Sequence, residues 1–176
     1  MKSALLVLFL SMNLHVLAQS DYDRSVDKEN AAVVFKGQVN FGDFEKEPTF
    51  GWLQSGAEKY SPDSSSIKFL RKAMPTYKIV VLLGTWCEDS QLLIPKLYKT
   101  LQASNYPMEQ LSMYGVDRAK QAKYVEHQLY RLERVPTIIV FKGFMEVGRI
   151  VESVDKTIDQ DLTRIIKSDL ERGKVD

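Results

Sequence analysis

Cysteine occurs once in this 176-residue chain and histidine twice. A single sulfur, Cys87, cannot close a disulfide within the chain, so it cannot hold an electron pair internally. Metal chemistry is short of ligands as well. Cys87 with Asp89 lacks the further Cys or His donors that a closed site needs, and neither a metal nor another cofactor is expected. Glycine is sparse, nine in all, and none builds a phosphate-binding loop; Gly84 and Gly143 fall where turns are needed. Basic and acidic residues number 24 and 23, a balance that leaves no electrostatic footprint for nucleic acid. Internal repeats, low-complexity tracts and interdomain linkers are missing too, so the expectation is one domain large enough to bury a substantial core.

Long apolar runs are also wanting. Residues 4–10 are uninterruptedly apolar behind Lys2, but Ser11, Asn13 and His15 break the pattern well short of the ~20 residues that span a bilayer. With Val16-Leu17-Ala18 ahead of Gln19, residues 1–18 read as an export signal cleaved near Ala18. A lipoprotein anchor would need a cysteine at that point. The expected location is the periplasm or the cell exterior, with no membrane anchor after cleavage. In such oxidising compartments small domains collect paired cysteines. A lone one points to a reactive thiol or to an intermolecular bond, here a Cys87-linked homodimer.

What is present is a regular alternation of elements. Residues 19–30 are polar and read as an unstructured leader. Val33-Val34-Phe35 and Val39 suggest a short strand, followed by a loop over 41–48. Phe50, Trp52, Leu53, Ala57 and Tyr60 recur at helical spacing, and Asp63 to Ser66 offers N-caps for a second helix that ends before Pro75. Residues 79–83 form a continuous β-branched and aliphatic run, the mark of a strand buried on both faces. Residues 90–103 read as a helix with Leu92, Leu93, Leu97 and Leu101 inward, 111–116 as a second strand, and 119–132 as a charged amphipathic helix. Residues 137–141 and 146–151 form a hairpin around Lys142-Gly143, and 158–170 form a closing helix. The order implies an α/β sandwich with a mixed sheet.

Cys87 stands in Gly84-Thr85-Trp86-Cys87-Glu88-Asp89-Ser90, between the buried strand and a helix. A strand-to-helix junction presents a thiol beside unpaired helix N–H groups, which favour its reactive anion by about 0.3–1 kcal/mol. Carboxylates at Glu88 and Asp89 oppose that by an amount on the order of 1 kcal/mol each; their other role is to stabilise the helix start. Ser90 occupies the place of a second redox sulfur. His127, the sole histidine after the leader, reads as a solvated side chain on a charged helix rather than a base for Cys87.

These residues resemble thioredoxin-fold proteins. The likeness rests on Trp86-Cys87-x-x-Ser90 after a buried strand, Pro95 eight residues beyond the cysteine, Val135-Pro136-Thr137 opening the hairpin, and Gly148 in the returning strand. It covers about 77–170, with 31–76 as an N-terminal extension, and implies a thioredoxin-like three-layer sandwich around a central mixed sheet over 31–176. More narrowly, the Gly-Thr-Trp-Cys-x-Asp-Ser form, with Arg134-Val135-Pro136-Thr137 and Gly148-Arg149-Ile150-Val151-Glu152, looks like a group of bacterial exported thioredoxin-like proteins. The resemblance implies that Cys87 attacks, that Trp86 flanks it, and that a cis Pro136 sets the Val135 backbone and Thr137 beside the sulfur, where an extended peptide pairs with it. Three departures stand out. Ser90 replaces the resolving cysteine, Val81 replaces a buried Asp that relays protons, and Met113 replaces the Lys that partners it. All three concern release of a bound disulfide and none touches the first attack. The expected activity is monothiol exchange, with mixed disulfides to thiol- or disulfide-bearing proteins or low-molecular-weight thiols. The rival is a redox-inactive peptide-binding module of the cell envelope.

Overall fold

The apolar run 79–83 shows no polar alternation because both faces of the strand it forms are covered, and that strand is the hub of the molecule. In a computed structural model that describes residues 21–173, six strands form one sheet in the order β1-β2-β4-β3-β5-β6. They are β1 (Tyr22–Val26), β2 (Val33–Val39), β3 (Lys78–Leu83), β4 (Leu111–Gly115), β5 (Thr137–Lys142) and β6 (Met145–Val151). Only β3 and β4 run parallel; the other neighbours are antiparallel. The helices are α1 (Phe41–Glu45), α2 (Gly51–Lys59), α3 (Ser64–Ala73), α4 (Glu88–Ala103), α5 (Glu126–Leu129) and α6 (Ile158–Arg172).

Side-chain alternation along β3 divides the interior. Ile79, Val81 and Leu83 join Met113, Ile138 and Val140 in a core covered by α1–α4 and α6. Val80, Leu82 and Ile139 form a smaller cluster on the other face, against Tyr130 and Leu132. Helices, mixed sheet and a thin outer layer around α5 make the expected α/β sandwich. Gly56 lets α2 approach α4 closely, since a Cβ there would lie 2.7 Å from the Pro95 Cβ.

Four local expectations are corrected. Of the polar stretch 19–30, the described part from Asp21 onward is not an unstructured leader: Tyr22–Val26 pairs with Val33–Val39 along its whole length. Its residues from Asp23 to Val26 are exposed, so an edge strand carries no apolar period to read; Tyr22 stacks on Phe35 at 4.3 Å, while Asp23 and Arg24 pair with Lys123 and Glu47. Residues 41–48 are not loop. Asn40 and Asp43 form a reciprocal capping box, and that polar closure lets the short α1 turn form over buried Phe41 and Phe44. Leu92 turns outward on α4 while Leu93, Leu97 and Leu101 are buried; four leucines at that spacing exceed one helix face.

The largest correction falls on 119–132, where one turn, α5, replaces the amphipathic helix. Asp117 closes a tight turn, accepting from the Gln121 N–H through Oδ1 and from the Lys120 N–H through its carbonyl. Lys120 sits at φ 60°, outside the helical region. His127 Nδ1 accepts from the Ala122 N–H at 3.2 Å, so a side chain takes the place of a helical carbonyl. The export signal expected over 1–18 lies outside the described residues. Among the described residues no helix is long and apolar enough to cross a membrane.

Candidate functional site

β3 runs out at Leu83, and after a turn of four residues the chain enters α4 at Glu88; this turn carries the thiol. The Cys87 N–H donates to the Gly84 carbonyl at 2.9 Å, and the Cys87 carbonyl accepts from Gln91 N–H at 3.0 Å. Ser90 Oγ accepts from Gly84 N–H at 3.2 Å, and Gln91 Nε2 donates to the Thr85 carbonyl at 2.8 Å. Thr85 is wholly buried. Its hydroxyl donates to the Val33 carbonyl at 2.8 Å and accepts from Phe35 N–H at 3.1 Å. The turn is therefore tied ahead to α4 and sideways to β2. No side-chain polar atom of the turn is buried without a partner, as a buried turn requires.

Cys87 occupies the N-cap position of α4, with extended backbone (φ −93°, ψ 126°) and no side-chain capping bond. Its sulfur is thus not spent on the helix. The thiol is half-buried and packs with Trp86 and Leu132 against Val116, Ala122 and Val135. The Sγ–H donates to the Val135 carbonyl at 3.6 Å. The Val135–Pro136 peptide is cis. Thr137 Oγ1 donates to the Arg134 carbonyl at 2.6 Å, Glu152 N–H donates to the Pro136 carbonyl at 2.7 Å, and Arg134 pairs with Glu152 at 2.6 Å. The segment 134–137 is held by the start of β5 and the end of β6, facing the start of α4.

Trp86 forms the wall beside the sulfur. Its indole N–H donates to the Val116 carbonyl at 2.9 Å, and its ring lies so close to Gly84 that a Cβ there would come within 2.7 Å. The Arg118 guanidinium stands 4.8 Å above the ring, a cation–π contact. Arg118 is in turn held by Asp27 at 2.7 Å and Glu29 at 3.0 Å. Asn30 Nδ2 donates to the Trp86 carbonyl at 3.3 Å. The hydrogen bond from Arg118 is the first cause that lowers the Asp27 carboxyl to about 2, with further bonds from the Glu29 and Asn30 N–H groups. The same bond raises Arg118 above its ordinary value.

Six residues were singled out from the sequence, and the fold places them at one end of the sheet. Cys87 and Val135 touch; Trp86 packs in the same cluster; Pro136 and Thr137 follow Val135 directly. Ser90 lies in the same turn but is fully buried, with its hydroxyl engaged by Gly84. Val81 and Met113, read as departures from the family pattern, are register partners across β3 and β4 and both lie in the main core. An apolar pair fills the space. His127 is half-buried and bonded to Ala122 rather than solvated. Sequence reading missed Thr85, Gln91, Arg118 and the Asp27–Asn30 turn. The last left a trace, since Asp27 side-chain bonds to the Glu29 and Asn30 N–H groups form a recognisable Asx-type turn. Among the described residues, no group of three or more His, Cys, Asp or Glu is placed to hold a metal ion.

No protein-family model matches the chain. No curated protein matches it. Two solved structures resemble it in fold with TM-scores above 0.5. An HIV epitope-scaffold is 18% identical, with a TM-score of 0.55 over 74% of this chain and 93% of that one. A protein of unknown function from Pseudomonas aeruginosa is 20% identical, with a TM-score of 0.51 over 75% of this chain and 84% of that one. Thioredoxin O2 from Arabidopsis thaliana, in its oxidised state, is 20% identical over 61% of this chain and 83% of that one, with a TM-score of 0.35. The fold is a mixed α/β sandwich built on one six-stranded mixed sheet.

Proposed function

We propose that the protein is a monothiol thiol–disulfide exchange protein of the cell envelope, acting through Cys87. The observation that carries this reading is the placement of one uncommitted sulfur at the N-cap of α4, 3.6 Å from the Val135 carbonyl. There it meets the first N–H groups of a helix and a backbone segment that an extended partner chain can approach. The Cys87 thiolate attacks one sulfur of a partner disulfide. A new S–S bond forms at Cys87, the old one breaks, and the leaving thiolate takes up the proton that Cys87 lost. No second thiol of this chain can complete the cycle. An external low-molecular-weight thiol attacks the mixed disulfide, releasing Cys87 and forming a disulfide with the partner. Trp86, Val135, Pro136 and Thr137 form the docking surface, and Ser90 braces the turn. The setting is the periplasm or cell exterior, after loss of residues 1–18.

The test is covalent trapping. The full chain is incubated with an envelope extract, alkylated, and run without reductant. A Cys87-dependent adduct that disappears with dithiothreitol and in Cys87→Ser is expected. Capture of the same partner at equal yield by Cys87→Ser would instead establish the redox-inactive binding module. An adduct of twice the chain's mass would establish the Cys87-linked homodimer.

A further inference from the structure

The sheet face opposite the five packed helices is open at the end away from Cys87. β3 starts at Lys78 and reaches Leu83 just before the thiol turn; the groove lies at its start, roughly 16 Å from its finish at ~3.3 Å per residue. Here a cavity of about 540 Å³ runs between the sheet, the α5 turn and the β5–β6 turn. That volume falls within the range of about 300–1,000 Å³ typical of ligand-binding clefts. Val80 and Phe141 floor it, and Leu129 and Phe144 rim it. Phe144 is fully exposed and Leu129 is 67% exposed, an apolar rim that a solvated loop does not need.

Charge on the groove is one-sided. Lys78, Arg131 and Arg149 line it with a single carboxylate, Glu146. Arg149 engages both oxygens of Glu146, from Nε and Nη2, at 2.6 Å each. Arg131 reaches Glu146 only at 4.0 Å with its side chain 82% exposed, and Lys78 is in no ion pair among the described residues. Two cations therefore flank an apolar floor with little compensation.

We propose that this groove docks an acidic amphipathic segment of a partner protein. Its apolar side chains settle on Val80, Phe141 and Phe144, while its carboxylates pair with Lys78 and Arg131. Charge and shape together select this occupant. A second copy of the chain would set the same cations against each other across a two-fold contact. A lipid surface is flat and does not reach a floor recessed below its rim. The proposal stands apart from the chemistry at Cys87 and uses none of its residues.

The probe is a short fluorescein-labelled peptide of alternating leucine and glutamate, titrated with the full chain and read by anisotropy. It is expected to bind, and the same peptide with lysine in place of glutamate is not. Arg131→Glu and Phe144→Ser, both at exposed positions, should each weaken binding by about tenfold or more. Amide resonances of Val80, Phe141 and Arg131 should shift on titration. Equal binding of the lysine peptide, unchanged affinity when both substitutions are combined, or shifts confined to the Cys87 turn would overturn the proposal. So would self-association, or co-sedimentation with phosphatidylglycerol vesicles, that is lost in Phe144→Ser, because either outcome gives the groove to another occupant.

Discussion

On one face of the sheet Ile79, Val81 and Leu83 meet side chains from five helices, whereas on the other Val80 and Leu82 meet only the stretch around α5. The first face is held by apolar burial of many large side chains, the dominant favourable contribution to folding. The second has too little such surface and relies on discrete polar ties: Trp86 to Val116, Arg118 to Asp27 and Glu29, and Asn30 to Trp86. The thiol packs in a small cluster of its own with Val116, Ala122 and Val135, joined to the second face through Leu132. Its position is set where chain segments far apart in sequence cross, so it can be loosened without unfolding the helical face.

That contrast predicts unequal responses to truncation. Leu97→Ala, in the helical face, should cost about 2–5 kcal/mol by chemical denaturation, and Leu132→Ala, in the thin layer, less than half as much. Equal losses would mean that the two layers fold as a single packed unit. A narrower prediction concerns the tie between the thiol turn and β2. Thr85→Val is close to isosteric but strips the partner from Phe35 N–H and Val33 carbonyl. It should cost about 1–3 kcal/mol and raise the rate of Cys87 alkylation, because the turn loses its lateral anchor. Loss of stability with an unchanged alkylation rate would show that α4 alone positions the sulfur.

The smallest effect is expected at the surface clamp and depends on pH. The folded-state carboxyl of Asp27 is lowered from 3.8 to about 2 by Arg118. The stabilisation from that pair is therefore present above the unfolded value and lost as pH falls through the window from about 4 to about 2. The Asp117 and Asp169 carboxyls are also held below their ordinary value in the folded chain, so the comparison must be with a variant. Arg118→Met should lower the urea midpoint slightly at pH 5, with the gap to the parent closing near pH 2. It should also raise acrylamide quenching of Trp86 in a Trp52→Phe background. A gap that persists at low pH would assign the effect to packing rather than to the ion pair.

Much of the sheet was legible because burial leaves a periodic mark. The run 79–83, the hairpin around Gly143 (φ 59°) and the closing helix all follow from apolar spacing and turn chemistry. The thiol turn was equally plain, since Trp86, Cys87 and Ser90 stand together between a buried strand and a helix. Edge strand β1 was not, because its residues beyond Tyr22 face solvent. The segment 119–132 was misread for a related reason: its spacing suits a helix, but Asp117, His127 and Lys123 satisfy backbone and charge through specific side-chain bonds that spacing does not encode.

The chain's own chemistry settled that one sulfur is available, that no partner sulfur exists within it, and that a mixed α/β sheet carries it at a strand-to-helix junction. These are local facts, written in composition and period. Tertiary structure alone decided that Arg118 roofs Trp86 with Asp27 and Glu29 behind it, and that a cationic groove is left open at the far end of β3. Contacts between segments tens of residues apart are chosen by which packing buries most while leaving fewest polar groups unpaired, and no short stretch of sequence contains that choice.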